Sequence, residues 1–324
     1  MKRLISLLLC ALLIVPALAE DAPDFEPIPW DIKVSPNLPN PDCYLPNNGG
    51  YHDDSIDIQI NVTYWTQDLQ QVDAPGEGTT TVMSARVKLT DVSQFRTGFA
   101  NKYPSKQARH VNDMTKRFNA VMGIDGDYCL YHEQGIVVRN GQTLRMRPHK
   151  GRDELIVDEN GDFHLITCTT QSKWDEYIAG GGTVLHAFCF GPALVVDGVP
   201  LTNLDDVTID NGKAKKAQRM VIGQIGKLEY LILTNEGPES TAPKSVGFDL
   251  VQMANLCVQF GLDNAYNLDG GSSSTIALNN QKINSPSSHK NRMVGDCIWF
   301  ATLVKEETWR EKESVQTVEV EENK

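Results

Sequence analysis

Apolar and polar residues alternate over Ser55 to Val62, reading Ser-Ile-Asp-Ile-Gln-Ile-Asn-Val. That period of two predicts a half-buried strand. Thr81 to Leu89 repeats it, with a loop over Asp73 to Gly78 between the two. Gln107 to Phe118 changes period and predicts a helix with Val111, Met114 and Phe118 on one face. Ala120 to Ile124 is a short apolar run that stops at Asp125-Gly126-Asp127. Gly135 to Arg145 predicts a hairpin turning at Asn140-Gly141. Glu154 to Ile166 predicts a second, turning at 159–162. Lys173 to Ile178 reads as a short helix before Gly180-Gly181-Gly182, and Val184 to Val196 as a long apolar stretch interrupted at Gly191-Pro192. Arg219 to Ile225 and Leu228 to Thr234 predict two strands around Gly226-Lys227. Ser245 to Phe260 carries the strongest helical stripe, Leu250, Met253, Ala254, Cys257 and Val258, with Gly261 placed to cap it. The class expected is α+β, a mixed strand-rich sheet system with a few packed helices.

The ends of the chain read differently. Met1-Lys2-Arg3, an apolar run from Leu4 to Val15 and Ala17-Leu18-Ala19 have the order of a signal peptide over 1–19. Residues 20–50 are rich in proline and read as an extended leader. The domain proper is expected over 51–304, and 305–324, with seven Glu against four Lys/Arg, as a charged tail. The chain is therefore expected to be exported, with no membrane association once the leader is cut. Six of the seven cysteines lie beyond it: Cys43, Cys129, Cys168, Cys189, Cys257 and Cys297. Their even number permits disulfides, but the spacing assigns no pairing, and the apolar settings suit buried thiols equally well. A formal net charge of −12 argues against nucleic acid as a partner and requires any phosphate site to be locally basic. The charge sets no oligomeric state.

Chemistry concentrates after the last apolar run before the C-terminal strands. Ala265-Tyr266-Asn267-Leu268 ends at Asp269, and Gly270-Gly271-Ser272-Ser273-Ser274 follows at once. Glycines let the backbone approach a ligand, and successive free N–H groups form a concavity suited to anions. The same composition also makes an ordinary turn. Asp125 and Asp127 flank Gly126 at a second strand end. Arg219 opens an apolar strand, and Arg292 follows the Ser285-Pro286-Ser287 loop. Arginine is the preferred bidentate partner of phosphate, and carboxylates at strand ends suit acid, base or nucleophilic work at a glycosidic centre. The acids also suit a calcium-type oxygen site, with Asp125 and Asp127 as ligands.

The ordered set Ile124-Asp125-Gly126-Asp127-Tyr128, Phe190-Gly191-Pro192-Ala193-Leu194-Val195, Arg219-Met220-Val221-Ile222-Gly223, Asn267 to Ser274 and Arg292 resembles the phosphodiester glycosidase family over roughly 55–304. Two positions depart from the family pattern: Asp125 stands where Asn is usual, and Ser272 where a third glycine is common. The resemblance implies an exported hydrolase of a sugar-1-phosphodiester or related α-glycoside, with a glycan or sugar-phosphate substrate. In that reading Asp269 is nucleophile or general base, and Asp127 or Asp125 is the companion acid or a sugar-hydroxyl ligand. Arg219 and the loop Gly270, Gly271, Ser272, Ser273 hold the phosphate, Arg292 assists, and Asn267 and Gly126 line the site. The sequence assigns no cofactor and names no metal; calcium enters in the rival reading as a metal-dependent hydrolase. A non-catalytic carbohydrate- or cell-wall-binding protein on the same scaffold is the other alternative.

Overall fold

The computed structural model describes residues 35–203, 215–238, 244–285 and 291–310. The expected signal peptide, the first part of the proline-rich leader and the end of the charged tail lie outside them. Three antiparallel sheets share one core. The largest has ten strands, among them Ile56–Trp65, Thr80–Leu89, Glu229–Asn235, Arg219–Gly226, Asn264–Asn267 and Ala193–Val196, hydrogen-bonded in that order. A five-stranded sheet is ordered Phe163–Ile166, Glu154–Val157, His186–Phe188, Gly135–Arg139, Gln142–Arg147. The other five-stranded sheet is ordered Gln281–Lys282, Ile276–Leu278, Met122–Asp125, Asp296–Phe300, Phe95–Phe99. The α+β class holds, and every strand pairing among the described residues is antiparallel.

Period-two alternation explains the layering. Met220 and Ile222 of the large sheet face a central cluster that also takes Ile124 and Phe300 from one small sheet and Leu155 and Phe188 from the other. Val221, between them, faces the opposite side with Phe248, Leu250 and Met253. Each sheet thus turns one face to the common core and covers the other with a helix. Leu250–Gln259 covers the large sheet, Val111–Phe118 packs Met114 and Phe118 on Trp299, and Gln171–Ala179 inserts Trp174 beside Ile136 and Ile156.

Two helices start later than periodicity alone predicts. Arg109 exchanges backbone hydrogen bonds with Val294, so helix begins at Val111 rather than at 107. Phe248 does the same with Ala217, and an Asp249–Gln252 capping box starts the next helix at Leu250 rather than at 245. The stretch 184–196 divides at Gly191-Pro192. Its first part belongs to a five-stranded sheet and its second to the ten-stranded one. The hairpin turn at Asn140-Gly141 takes positive φ at both positions (51° and 76°), the primed geometry an Asn-Gly pair favours.

Candidate active site

The loop after Asn264–Asn267 carries the chain from the ten-stranded sheet into a five-stranded one. Leu268 still donates to Met220 of the first at 2.8 Å, and by Ile276 the chain pairs with Ile124 of the second. Asp269 sits at the crossing, its N–H donating to the Gly126 carbonyl at 3.2 Å. Its side chain is almost fully buried, and burial pushes its pKa up to about 6. The Ser273 hydroxyl, the Arg292 charge and the Gly270 N–H pull the other way, while the Asp127 charge adds to the rise.

The loop is not the open anion nest its composition suggests. Gly271–Ser273 forms a 3-10 turn, and all but one of the N–H groups from Gly270 to Ser274 are spent inside the protein, the exception being Ser272. Gly270 donates to Asp269 Oδ1 (2.9 Å), Gly271 to Gln218 O (2.9 Å), Ser273 to Gly270 O (3.2 Å) and Ser274 to Gly271 O (3.3 Å). Thr275 donates to Asp125 Oδ1 at 2.8 Å. Gly271 takes a φ of +63°, which glycine adopts at no steric cost. What the loop offers a ligand is therefore chiefly the half-buried Ser272, with its hydroxyl and N–H, while the Arg292 charge acts on Asp269.

The two acids of Asp125-Gly126-Asp127 part company. Asp125 is fully buried, and its Oδ2 has no hydrogen-bond partner. Burial and then the Asp269 charge push its carboxyl well above the usual range, with Asp296 adding to the rise. Lys282 also faces it, and burial holds that ammonium down to about 8. Asp127 is equally buried but saturated. Its Oδ1 accepts from Cys129 N (3.1 Å) and Arg139 Nη2 (2.9 Å), and its Oδ2 from Cys189 N (2.9 Å). Burial alone would raise it; the Arg139 charge and these donors outweigh that and hold it low. The same Arg139 Nη2 reaches Asp296 Oδ2 at 3.0 Å. Burial and then the Asp127 charge raise Asp296 to about 7. Gly126 between the two acids must be glycine, since a Cβ would stand 2.5 Å from the Asp296 carboxyl.

Arg139 and Asp296 escape a reading of local sequence. Each sits at the end of an apolar strand, as Arg219 does, and only the meeting of two sheets reveals that they pair. Arg219 takes a different place from the one expected. It shares the helix-bearing face of its strand with Val221, and its guanidinium donates to the carbonyls of Phe248 (3.4 Å) and Lys215 (2.7 Å) near Asp249. The cation whose charge acts on Asp269 is Arg292, which is exposed and lies 5.4 Å from the Tyr128 ring centroid. Tyr128 holds a left-handed φ of 60° and stacks on Tyr131 at 4.5 Å. An aromatic residue kept in that region stores strain of order 1 kcal/mol or more, a cost met where a side chain must be aimed. Asn267 is buried, donates to the Gly191 carbonyl at 2.8 Å and leaves its Oδ1 without a partner.

The described cysteines are all free thiols. Asp127, Cys129 and Asp296 cluster closely enough to suggest a metal site. The donor set argues otherwise: a guanidinium already joins both carboxylates, and a largely protonated thiol is a poor ligand for calcium.

A family model described as phosphodiester glycosidase matches residues 118–301, more than half of the chain. The chain belongs to the phosphodiester glycosidase family. The match includes Asp125, Asp127, Asp269 and Arg292, but begins after the first two long strands of the large sheet. Among solved structures, the catalytic domain of zebrafish N-acetylglucosamine-1-phosphodiester alpha-N-acetylglucosaminidase, auto-inhibited by its pro-peptide, superposes with a TM-score of 0.60. It is 14% identical and covers 78% of this chain and 86% of its own. A hypothetical protein from Synechocystis gives a TM-score of 0.50 at 14% identity, over 76% of this chain and 62% of its own. These likenesses show the fold of the phosphodiester glycosidase family. No curated protein matches the chain.

Proposed function

We propose that this protein is an exported hydrolase that cleaves a sugar-1-phosphodiester or a related α-glycosidic bond at Asp269. The observation that carries the proposal is a buried carboxyl at a sheet crossing, with a pKa of about 6, beside an exposed arginine and a hydroxyl-bearing loop. A group titrating near its working pH is suited to acid–base or nucleophilic work. At neutral pH Asp269 is mostly ionised and serves as nucleophile or general base. Arg292 and the Ser272 hydroxyl hold the phosphate. Asp125, fully buried and kept protonated, has no surface to offer a substrate and acts through Asp269, whose charge it faces and whose loop donates to it from the Thr275 N–H. We assign Asp127 to structure, because its oxygens already accept three hydrogen bonds. A phosphodiester leaving group is acidic in its own right, so the scheme needs no separate general acid.

Nitrophenyl glycosides and sugar-1-phosphodiesters should be screened with the wild type and Asp269→Asn. The expected result is turnover in the wild type and a loss on the order of 10³-fold or more in the variant, with Tm moved by only a few degrees. Near-normal turnover in a folded variant would reduce Asp269 to a turn residue. Binding without any turnover, indifferent to Asp269, would favour the carbohydrate-binding alternative. Loss of activity with chelator, restored by calcium, would favour the metal-dependent one. Export rests on the order of residues 1–19, and N-terminal sequencing of secreted protein that begins at Met1 would overturn it.

A further inference from the structure

A cavity of about 560 Å³ opens at the seam between the two five-stranded sheets, bounded by Phe95–Phe99, the end of helix Val111–Phe118 and the hairpin after Gly135–Arg139. Its size falls within the range of small-molecule sites. Its lining includes the cations Lys102 and Arg117, besides Arg139 whose charge is met by Asp127 and Asp296, and no acidic residue, although the chain as a whole has a net charge of −12. Lys102 and Arg117 are exposed. Phe99 and Tyr103 present paired rings, their centroids 5.4 Å apart. Two buried polar atoms of lining residues have no hydrogen-bond partner, the acceptor Gln142 Oε1 and the donor Arg139 Nε. Buried polar atoms left this way are uncommon and call for a water or a ligand.

We propose that this cavity is a second binding site, for an anionic mono- or disaccharide. The cations suit a carboxylate or phosphate, the rings suit the C–H face of a sugar, and the orphaned acceptor and donor suit hydroxyls. A simple anion would not need the rings, and a neutral sugar would not need a basic lining in an acidic protein. The site is separate from Asp269: between them lies the fully buried Arg139 guanidinium, which binds Asp127 and Asp296 with one nitrogen and lies 4.4 Å from the Phe188 ring centroid.

Calorimetry or ligand-observed NMR with the purified full chain tests the proposal without reference to turnover. The probes are a glucuronate-containing disaccharide, glucose 6-phosphate, neutral cellobiose and inorganic phosphate. At least one acidic sugar should bind about tenfold or more tightly than cellobiose and than inorganic phosphate, and which of the two does so separates carboxylate from phosphate as the anion. Its binding should weaken with salt and fall about tenfold or more in Lys102→Glu/Arg117→Glu. It should persist in Asp269→Asn, so that failure of the catalytic proposal leaves this one standing. If the charge-reversed protein does not fold, Lys102→Gln alone should still weaken binding severalfold. Four results would overturn the site. They are equal binding of cellobiose, equal binding of inorganic phosphate, no binding at millimolar concentration, and loss of binding in a folded Asp269→Asn variant.

Discussion

Replacing Arg139 by methionine tests whether the two small sheets are held together through one guanidinium. Arg139 is 2% exposed, and its Nη2 serves Asp127 at 2.9 Å and Asp296 at 3.0 Å. Methionine keeps much of the aliphatic volume, so the change is mainly electrostatic. Each charge-assisted hydrogen bond lost is worth roughly 1.5–3 kcal/mol, and removing one partner of a buried pair costs about 3–5 kcal/mol. We expect the latter, because the remaining carboxyls can escape part of the penalty by taking up a proton. At about 2–4 °C per kcal/mol for a chain of this size, Tm should fall by on the order of 10 °C. The pH dependence distinguishes this from simple loss of packing. In the wild type Asp127 is held low, so its contribution is present above its unfolded value, about 3.9, and fades as pH drops through its lower folded value. Asp296, raised to about 7, works the other way: its contribution is full below about 3.9 and is lost as pH climbs through 7. Without the guanidinium, burial drives both carboxyls up. The variant's deficit should then be larger at pH 8 than at pH 5. Adding Asp296→Asn should recover about 1–3 kcal/mol in a double-mutant cycle, since it removes a buried carboxyl left without its guanidinium and keeps an oxygen to accept from the Asp127 N–H. Thermal unfolding at the two pH values reads all of this. A deficit under about 1 kcal/mol, or one that does not change between pH 5 and pH 8, would refute the reasoning.

Two further substitutions separate structure from chemistry. Asp125→Asn keeps an acceptor for the Thr275 N–H and removes a carboxyl whose pKa is raised in the folded state. The penalty of ionising that carboxyl grows as pH rises from about 4, so the variant should gain Tm relative to wild type at pH 8 and little at pH 4; a loss of Tm at every pH would count against a buried neutral Asp125. Arg219→Lys should lower Tm and reduce turnover of phosphodiester and uncharged glycoside alike, because the guanidinium holds the carbonyls of Phe248 and Lys215; selective loss on the phosphodiester would restore Arg219 to the phosphate site.

Much of this architecture was legible in the chain. The Asn-Gly hairpin, the paired strands around 226–228 and the helical stripe from Leu250 are short-range signals, and each appears where the pattern puts it. Boundaries failed where a long-range backbone pair outcompeted helix, as Arg109 with Val294 and Phe248 with Ala217 do. Asp269 was legible because an apolar strand ending in an acid and two glycines is a local event. Arg139 and Asp296 were not: their partner lies on another sheet, and a charged residue at a strand end looks the same whether it faces solvent or a buried acid. Arg219 shows the same limit. The sequence places it on a strand beside the Asp269 loop, but one step of alternation decides the face, and here the face belongs to the helix.

The Asp-Gly-Asp segment then shows how one short motif places two acids in opposite electrostatic settings. Two acids with one residue between them would share a face if the strand ran on. It ends at Asp125, and Gly126 brings the backbone against the Asp296 carboxyl, so the two side chains separate. Asp127 turns to Arg139 and two backbone N–H groups and is locked ionised. Asp125 receives one N–H from the Asp269 loop, faces the Asp269 charge, and is driven neutral. Neighbouring carboxyls pushed apart in this way mark a division of roles. The acid with every oxygen occupied joins the sheets. The acid with a free oxygen stays neutral inside the protein, one hydrogen bond away from the loop that carries Asp269.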